Sequence, residues 1–302
     1  MKPLLIIGGA TGTGKSDLAV ACAKKLDGEV ISSDSMQIYR GLDVGTAKIR
    51  TEEMQGVPHH MIDIVDPKDS FTAAEYKTQA TRAIEEILKC GKVPIICGGT
   101  GLYINAVLYD LSFSGEYDPA LREELLKEAT EKGKQFMHEK LRSLDPEAAQ
   151  RLHVNDEKRV IRAIEKALNG GKKEDDFATA KYPYLMFVTD LPREQMYDNI
   201  NRRVDKMIKN GLKREVLTLV QSGIGFDRQC MQAIAYKEWA PYLNGEMTEE
   251  ETVQLIKKNT RNYAKRQITW FKQYKDAYKL SVSGKKLEEN ANLICEKYNG
   301  AL

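Results

Sequence analysis

LLIIGGATGTGKS (residues 4–16) decides the reading of this chain. Four apolar residues run into glycines, and from Lys15 onward Leu18, Ala19, Cys22, Ala23 and Leu26 recur at helical spacing, so the stretch reads as a buried strand, a loop and a helix. Its centre, GATGTGKS (9–16), meets GxxxxGK[ST] at every fixed position, in the strand-to-helix context that gives this P-loop pattern meaning. The backbone N–H groups of residues 12–16 would wrap an anion at the helix N-terminus, Lys15 would neutralise it, and Ser16 would ligate Mg2+. Such a loop is a diphosphate cradle, nucleotide- and ATP-binding in many proteins. Nothing in Gly9, Ala10, Thr11, Gly12, Thr13, Gly14, Lys15 and Ser16 tells whether the diphosphate belongs to a nucleotide or to another molecule.

Outward from the loop, EVISS (29–33) reads as a second strand, and Thr72 or Ser70 caps a long helix that stops at Gly91. VPIIC (93–97) is a third strand ending in Gly98 and Gly99, and YLMFVTDL (184–191) is another. Strands alternating with helices predict an α/β fold: a P-loop NTPase-like parallel sheet core with helices on both faces, its ligands beyond the strand carboxyl ends. From about Phe113 the alternation stops. Helices are expected at Pro119–Gly133, at Gln135–Leu144, and at Asp156–Leu168 behind a cap-like Asn155, followed by a loop over 170–183. Residues 113–182 therefore read as a helical insertion domain in a core of 1–112 plus 183–302. That core resumes with helices at Arg193–Asn210 and from a capping box at Thr248–Glu251.

Of the 302 residues, 42% are hydrophobic and 30% charged, a globular balance that excludes disorder over most of the length. No apolar run approaches the roughly 20 residues of a membrane span, and the N-terminus shows neither a secretory nor a transit pattern, so no membrane partner and a cytoplasmic location are expected. Five cysteines without a CxxC pair argue against a disulfide framework or a zinc ribbon. The net charge of +2 makes no case for nucleic acid, but its distribution does. Residues 257–279 carry a local balance of +7 with Tyr263, Trp270, Phe271, Tyr274 and Tyr278 interleaved, a composition suited to a phosphate backbone. A second basic surface comes from Lys158, Arg159, Arg162 and Lys166, on a helix whose apolar face is Val160, Ile161, Ile164 and Leu168.

Three further constellations could carry chemistry. Asp34, in SSDSMQIYR (32–40), follows the second strand and so shares the sheet edge with the P-loop; it is either a turn former or a carboxylate that accepts a proton from a nucleophile. Thr100, in CGGTGLY (97–103), sits at the cleft mouth with glycines permitting close backbone approach, or caps a helix. Arg202 and Arg203 form either a solvated helix face or a clamp on a leaving diphosphate, which the guanidinium fork suits. The third strand lacks the acidic end residue that many P-loop hydrolases use for metal, which weakens an ATPase reading. The four histidines offer no zinc-ligand spacing.

Taken in order, GATGTGKS, SSDSMQIYR, VPIICGGTGLY, MQAIAYKEW (231–239) and TRNYAKRQITWF (260–271) strongly resemble the tRNA dimethylallyltransferase family, over Pro3 to about Phe271. With no zinc finger following, the resemblance is to the bacterial type. It implies transfer of a dimethylallyl group from dimethylallyl diphosphate to N6 of adenosine 37 in tRNAs reading codons that begin with U. It implies further that Gly9–Ser16 hold the donor diphosphate rather than ATP, with Mg2+ at Ser16. Asp34 matches the general base, Thr100 a donor or tRNA contact, and Arg203 the arginine on the diphosphate. Ser35, Met36 and Gln37 match the strip beside the target base, and Arg122 with Lys158, Arg159, Val160, Ile161 and Arg162 match contacts to the tRNA anticodon stem-loop. A monomer is implied. Ala235 stands where many of the family have Gly, which puts that loop's backbone in question. Two rivals share the P-loop: a small-molecule kinase of nucleotide kinase type, and a non-catalytic RNA-binding NTPase switch.

Overall fold

The computed structural model describes residues 2–111, 113, 118–169, 179–284 and 287–301. By internal contacts the chain separates into two compact units, residues 1–110 with 179–302, and residues 111–178.

The first unit is built on six parallel strands: β1 (Leu4–Gly9), β2 (Gly28–Ser33), β3 (His59–His60), β4 (Val93–Gly98), β5 (Tyr184–Asp190) and β6 (Tyr278–Ser281), in the order β3-β2-β4-β1-β5-β6. It is an α/β fold with a P-loop NTPase-like core. Leu4, Leu5, Ile6 and Ile7 of central β1 are fully buried, each contributing about 1.5–3 kcal/mol. Their alternation sorts the helices. Leu5 and Ile7 cluster with Leu18 and Cys22 of the Lys15–Leu26 helix and with Ile294 and Tyr298 of Leu287–Asn299; Leu4 and Ile6 cluster with Tyr76, Ala80 and Ile84 of Ala73–Lys89 and with Ile104 of Gly101–Leu108. Since all strands are parallel, the loops after β1, β2, β4 and β5 leave from one edge.

Thr72, not Ser70, opens the Ala73–Lys89 helix: its hydroxyl accepts the Glu75 N–H at 3.2 Å while the Glu75 carboxylate accepts the Thr72 N–H at 2.8 Å. The expected box at Thr248–Glu251 has the same reciprocal bonds. Two edge strands carry no hydrophobic signal. β3 is two half-buried histidines, and in β6 only Leu280 is buried. Ala235 is held at φ 79°, in the left-handed region that favours glycine, with its N–H donated to the Glu238 carboxylate at 2.8 Å.

In the second unit, helical residues run from Pro119 to Leu144, broken by Gly133 (φ 79°, ψ 170°), and continue in Pro146–Arg151 and Glu157–Leu168. Asp156, one residue later than the expected Asn155, precedes the last helix, and its side chain makes no capping bond. The core is Leu125, Met137, Leu141, Val160, Ile161 and Ile164. The expected 170–183 loop falls outside the described residues as far as 178. Among the described residues no helix is long and apolar enough to cross a membrane.

Candidate active site

The Gly9–Ser16 loop leaves β1 and turns through Gly12 (φ 81°) and Gly14 (φ 76°), left-handed conformations that favour glycine. The turn is pinned from within. Thr13 Oγ1 donates to the Ala10 carbonyl at 2.9 Å and pairs with Thr189 Oγ1 at 2.7 Å. From outside, Asn199 Nδ2 donates to the Gly12 carbonyl at 3.0 Å. The loop borders a cavity of about 610 Å³, also lined by Ser16, Val44, Arg50, Arg203 and Lys206.

Burial pulls the Lys15 ammonium down to about 8, against an ordinary 10.5, with Arg203 pushing the same way and Asp34 opposing. Burial likewise lowers Arg203, again opposed by Asp34. Two half-buried cations and one carboxylate thus share a field at the strand ends. Arg203 is not a solvated residue. It projects inward from the Arg193–Lys209 helix, donating to Thr11 Oγ1 at 3.2 Å and to the Thr46 carbonyl at 2.9 Å. Arg202, by contrast, is exposed and bonded to Asn199 at 2.6 Å.

Asp34 serves its turn with one oxygen only. Oδ1 accepts the N–H groups of Met36 (2.9 Å) and Gln37 (3.3 Å), whereas Oδ2 has no partner among the described residues. Beside it, Thr100 caps by position, but its hydroxyl does other work: Oγ1 accepts the Ser35 N–H at 3.2 Å, and the Thr100 N–H donates to the Ser33 carbonyl at 3.0 Å. The strip Asp34–Gln37 is therefore fastened to the turn after β4. Gln37 reaches Ser32 Oγ at 3.4 Å, and Met36 is half-buried against the core.

The glycines of CGGTG are crowded by protein. An added Cβ at Gly99 would lie 2.0 Å from Gln267 Nε2, and at Gly101 1.8 Å from Trp270 Nε1. Both partners belong to the Glu249–Phe271 helix, which the sequence suggested as part of a basic surface. Two of its basic residues are tied to neighbours, Lys257 pairing with Asp205 at 2.6 Å and Arg261 donating to Asn201 at 2.7 Å, whereas Lys258, Lys265 and Arg266 are exposed. On its buried side Gln267 Oε1 accepts the Thr11 N–H at 2.9 Å and Nε2 donates to the Gly99 carbonyl at 3.0 Å. A signal for this was available, since Ala264, Gln267 and Phe271 share a helix face and a polar residue on a core face must find partners. Tyr263, a turn earlier, is pushed up to about 12 by burial, with the Asp34 charge adding to it.

Two further residues escaped the sequence reading. The Glu215 carboxylate accepts the N–H groups of Asp43 (3.0 Å), Val44 (2.7 Å) and Gly45 (3.0 Å), and the Tyr236 hydroxyl at 2.5 Å. Lys48, buried, donates to Asp43 (2.6 Å), Asp63 (2.5 Å) and the Tyr39 carbonyl (2.8 Å). Together they shape the 43–48 loop on the cavity wall. The backbone donors that Glu215 meets lie 170 to 172 residues away, beyond any local pattern.

The remaining candidates lie in the second unit. Arg122 donates to both Glu165 oxygens at 3.0 Å and Arg162 to one at 3.1 Å, around a carboxylate only 3% exposed. Lys158 and Arg159 are exposed. Val160 and Ile161 are 1% exposed, so their side chains cannot contact tRNA: packing the apolar face of an amphipathic helix uses them up.

A family model described as IPP transferase matches residues 37–274. The chain is 48% identical over 284 residues to the tRNA dimethylallyltransferase of Caldanaerobacter subterraneus subsp. tengcongensis, covering 90% of this chain and 89% of that one. With that of Clostridioides difficile it is 48% identical over 281 residues, at 91% and 90% coverage. Among solved structures it resembles a full-length tRNA isopentenylpyrophosphate transferase from Bacillus halodurans (TM-score 0.75, 43% identity, covering 99% of this chain and 98% of that one). It also resembles a eukaryotic dimethylallyltransferase acting on tRNA (TM-score 0.81, 29% identity, 94% and 75%). The chain belongs to the tRNA dimethylallyltransferase family.

Proposed function

We propose that this protein transfers a dimethylallyl group from dimethylallyl diphosphate to N6 of adenosine 37 in the anticodon stem-loop of tRNAs reading codons that begin with U, releasing diphosphate. Beyond the family itself, the observation that carries this reading is the field shared by Lys15, Arg203 and Asp34: one cation on a phosphate-type loop and one reaching it from the Arg193–Lys209 helix, beside a carboxylate with an oxygen to spare.

An exocyclic adenine amine is a weak nucleophile, its lone pair delocalised into the ring, so it needs both a strong electrophile and a proton acceptor. The allylic C–O bond breaks with cationic character at carbon and negative charge on the leaving oxygens. Lys15, Arg203 and the N–H groups after Thr11 in the Gly9–Ser16 loop would take up that charge, Lys15 turning from the Ala10 carbonyl it meets in the structure. As the C–N bond forms, the amine proton passes to Asp34 Oδ2, while Oδ1 stays on its two backbone donors. Ser16, exposed at the cavity, is the side chain that would hold Mg2+. When bound there, the ion would add positive charge at the leaving group.

A stacked base cannot reach this edge, so the nucleotide is flipped out, with Ser35, Met36, Gln37 and Thr100 beside it. Lys158 and Arg159, both exposed, carry the tRNA contacts of the second unit, while Arg122 and Arg162 hold Glu165 of the same helix. The protein works in the cytoplasm, where its tRNA substrate is, and as a monomer, because one chain supplies both halves of the site. The test is incubation with unmodified tRNA, Mg2+ and either dimethylallyl diphosphate or ATP, followed by mass spectrometry of the nucleosides. Dimethylallyladenosine formed only with the first donor is the expected result; ATP turnover without it would favour the kinase.

A further inference from the structure

We propose that Gln267 is a positioning residue that sets the spacing between the donor loop and the acceptor turn, a role that rests on the transfer reaction proposed above. Its carboxamide spans the two directly: Oε1 accepts from Thr11 N and Nε2 donates to Gly99 O, at 2.9 and 3.0 Å. Thr11 leads to the leaving group, since its hydroxyl accepts from Arg203. Gly99 leads to the nucleophile, since Thr100 next to it accepts from Ser35, adjacent to Asp34. One side chain, 6% exposed, therefore lies between the group that receives negative charge and the group that receives the proton.

Each half has anchors of its own. The donor loop keeps Thr13 on Thr189 and Asn199 on Gly12; the acceptor turn keeps Thr100 on Ser33 and Ser35. Removing Gln267 leaves both built and relaxes only the distance between them. A displacement of about 1 Å between reacting groups costs up to about 10²-fold in rate. The bridge also uses the Thr11 N–H, so this donor faces protein and the anion is left to the N–H groups that follow. An amide fits the polarity, because one end must accept and the other donate.

The experiment compares Gln267→Leu and Gln267→Glu with the wild type, each checked by thermal melt, measuring kcat, KM for both substrates, and calorimetric binding of dimethylallyl diphosphate without tRNA. The leucine variant is expected to lose about 10- to 100-fold in kcat with donor Kd and both KM values within about threefold. The glutamate variant adds a readout that packing alone would not move. Its protonated carboxyl reproduces the amide's acceptor and donor, and its carboxylate opposes the Gly99 carbonyl, so activity relative to wild type should recover as pH falls. If the leucine variant fails to fold, the glutamate profile decides alone. Folded variants with kcat within about twofold of wild type, a loss confined to KM, or a glutamate pH profile parallel to wild type would each overturn the role. A wild-type chain that transfers nothing overturns the reaction as well, whereas an active wild type with unaffected variants overturns only the bridge.

Discussion

Lys15 Nζ donates to the Ala10 carbonyl at 2.5 Å, so the loop's cation is folded back on the loop itself. Its pKa of about 8 lies below the ordinary 10.5, chiefly because it is buried. Between those values the folded protein binds fewer protons than the unfolded chain. The Lys15 contribution to stability therefore rises with pH across that window and is least favourable below about 8. Donor binding runs the other way. A diphosphate favours the ammonium, so the Kd for dimethylallyl diphosphate should climb by up to about tenfold per pH unit above about 8. Calorimetry across that range checks it; an equal slope in Lys15→Met would assign the effect elsewhere.

Asp34→Asn keeps an oxygen for the Met36 and Gln37 N–H groups and removes the proton acceptor. Transfer should fall about 10²- to 10⁴-fold with an unchanged melting curve. Single-turnover rates would show it, and near-normal chemistry would end the base assignment.

Glu215→Ala strips the 43–45 turn of its common acceptor and strands the Tyr236 hydroxyl, which burial, with the Glu215 charge adding, holds protonated far above its usual range. Stability should drop by about 2–4 kcal/mol in urea unfolding, and donor affinity with it, because Asp43 and Val44 line the cavity.

Gly101→Ala drives a Cβ to 1.8 Å from Trp270 Nε1 and 2.1 Å from its Cδ1. The helix carrying Gln267 must shift, at about 1–3 kcal/mol. Thermal melts should show the loss, and Gly101→Ala with Trp270→Leu should recover most of it.

Replacing Lys158 and Arg159 together by Ala should weaken tRNA binding and flatten its salt dependence by up to about 1.4 in log K against log salt, if each meets one phosphate of a single-stranded region. Arg122→Ala should instead lower the stability of its unit, since Glu165, 3% exposed, depends on it. Filter binding over a salt series, paired with melts, distinguishes the two behaviours.

The parallel sheet, the phosphate-type loop and the helical character of the second unit were legible in the sequence because each is a local pattern. A strand–loop–helix with glycines at positive φ, apolar runs bounded by turns and a 3.6-residue period all act within a dozen residues. Even there, the two-residue β3 and the mostly exposed β6 passed unseen, as neither buries enough to leave a trace. Asp34, Thr100 and Arg203 could be named from the motifs, yet not told apart from a turn former, a cap and a solvated arginine. The tertiary structure shows Asp34 forming the turn and Thr100 standing at the cap position, and takes Arg203 out of the solvated face. Oδ2 of Asp34 is left over only because Oδ1 meets two backbone donors, and Arg203 turns inward only because Thr11 and Thr46 wait for it from 192 and 157 residues away. Gln267 marks the limit most sharply. It lies in a segment whose composition signals only lysines, arginines and aromatics, but hydrogen bonds to Thr11 and Gly99, 256 and 168 residues distant, give the side chain its place. Local periodicity encodes which face a residue takes; which atoms meet there is decided when folding brings distant backbone donors and acceptors, obliged to pair once buried, to the same edge of the sheet.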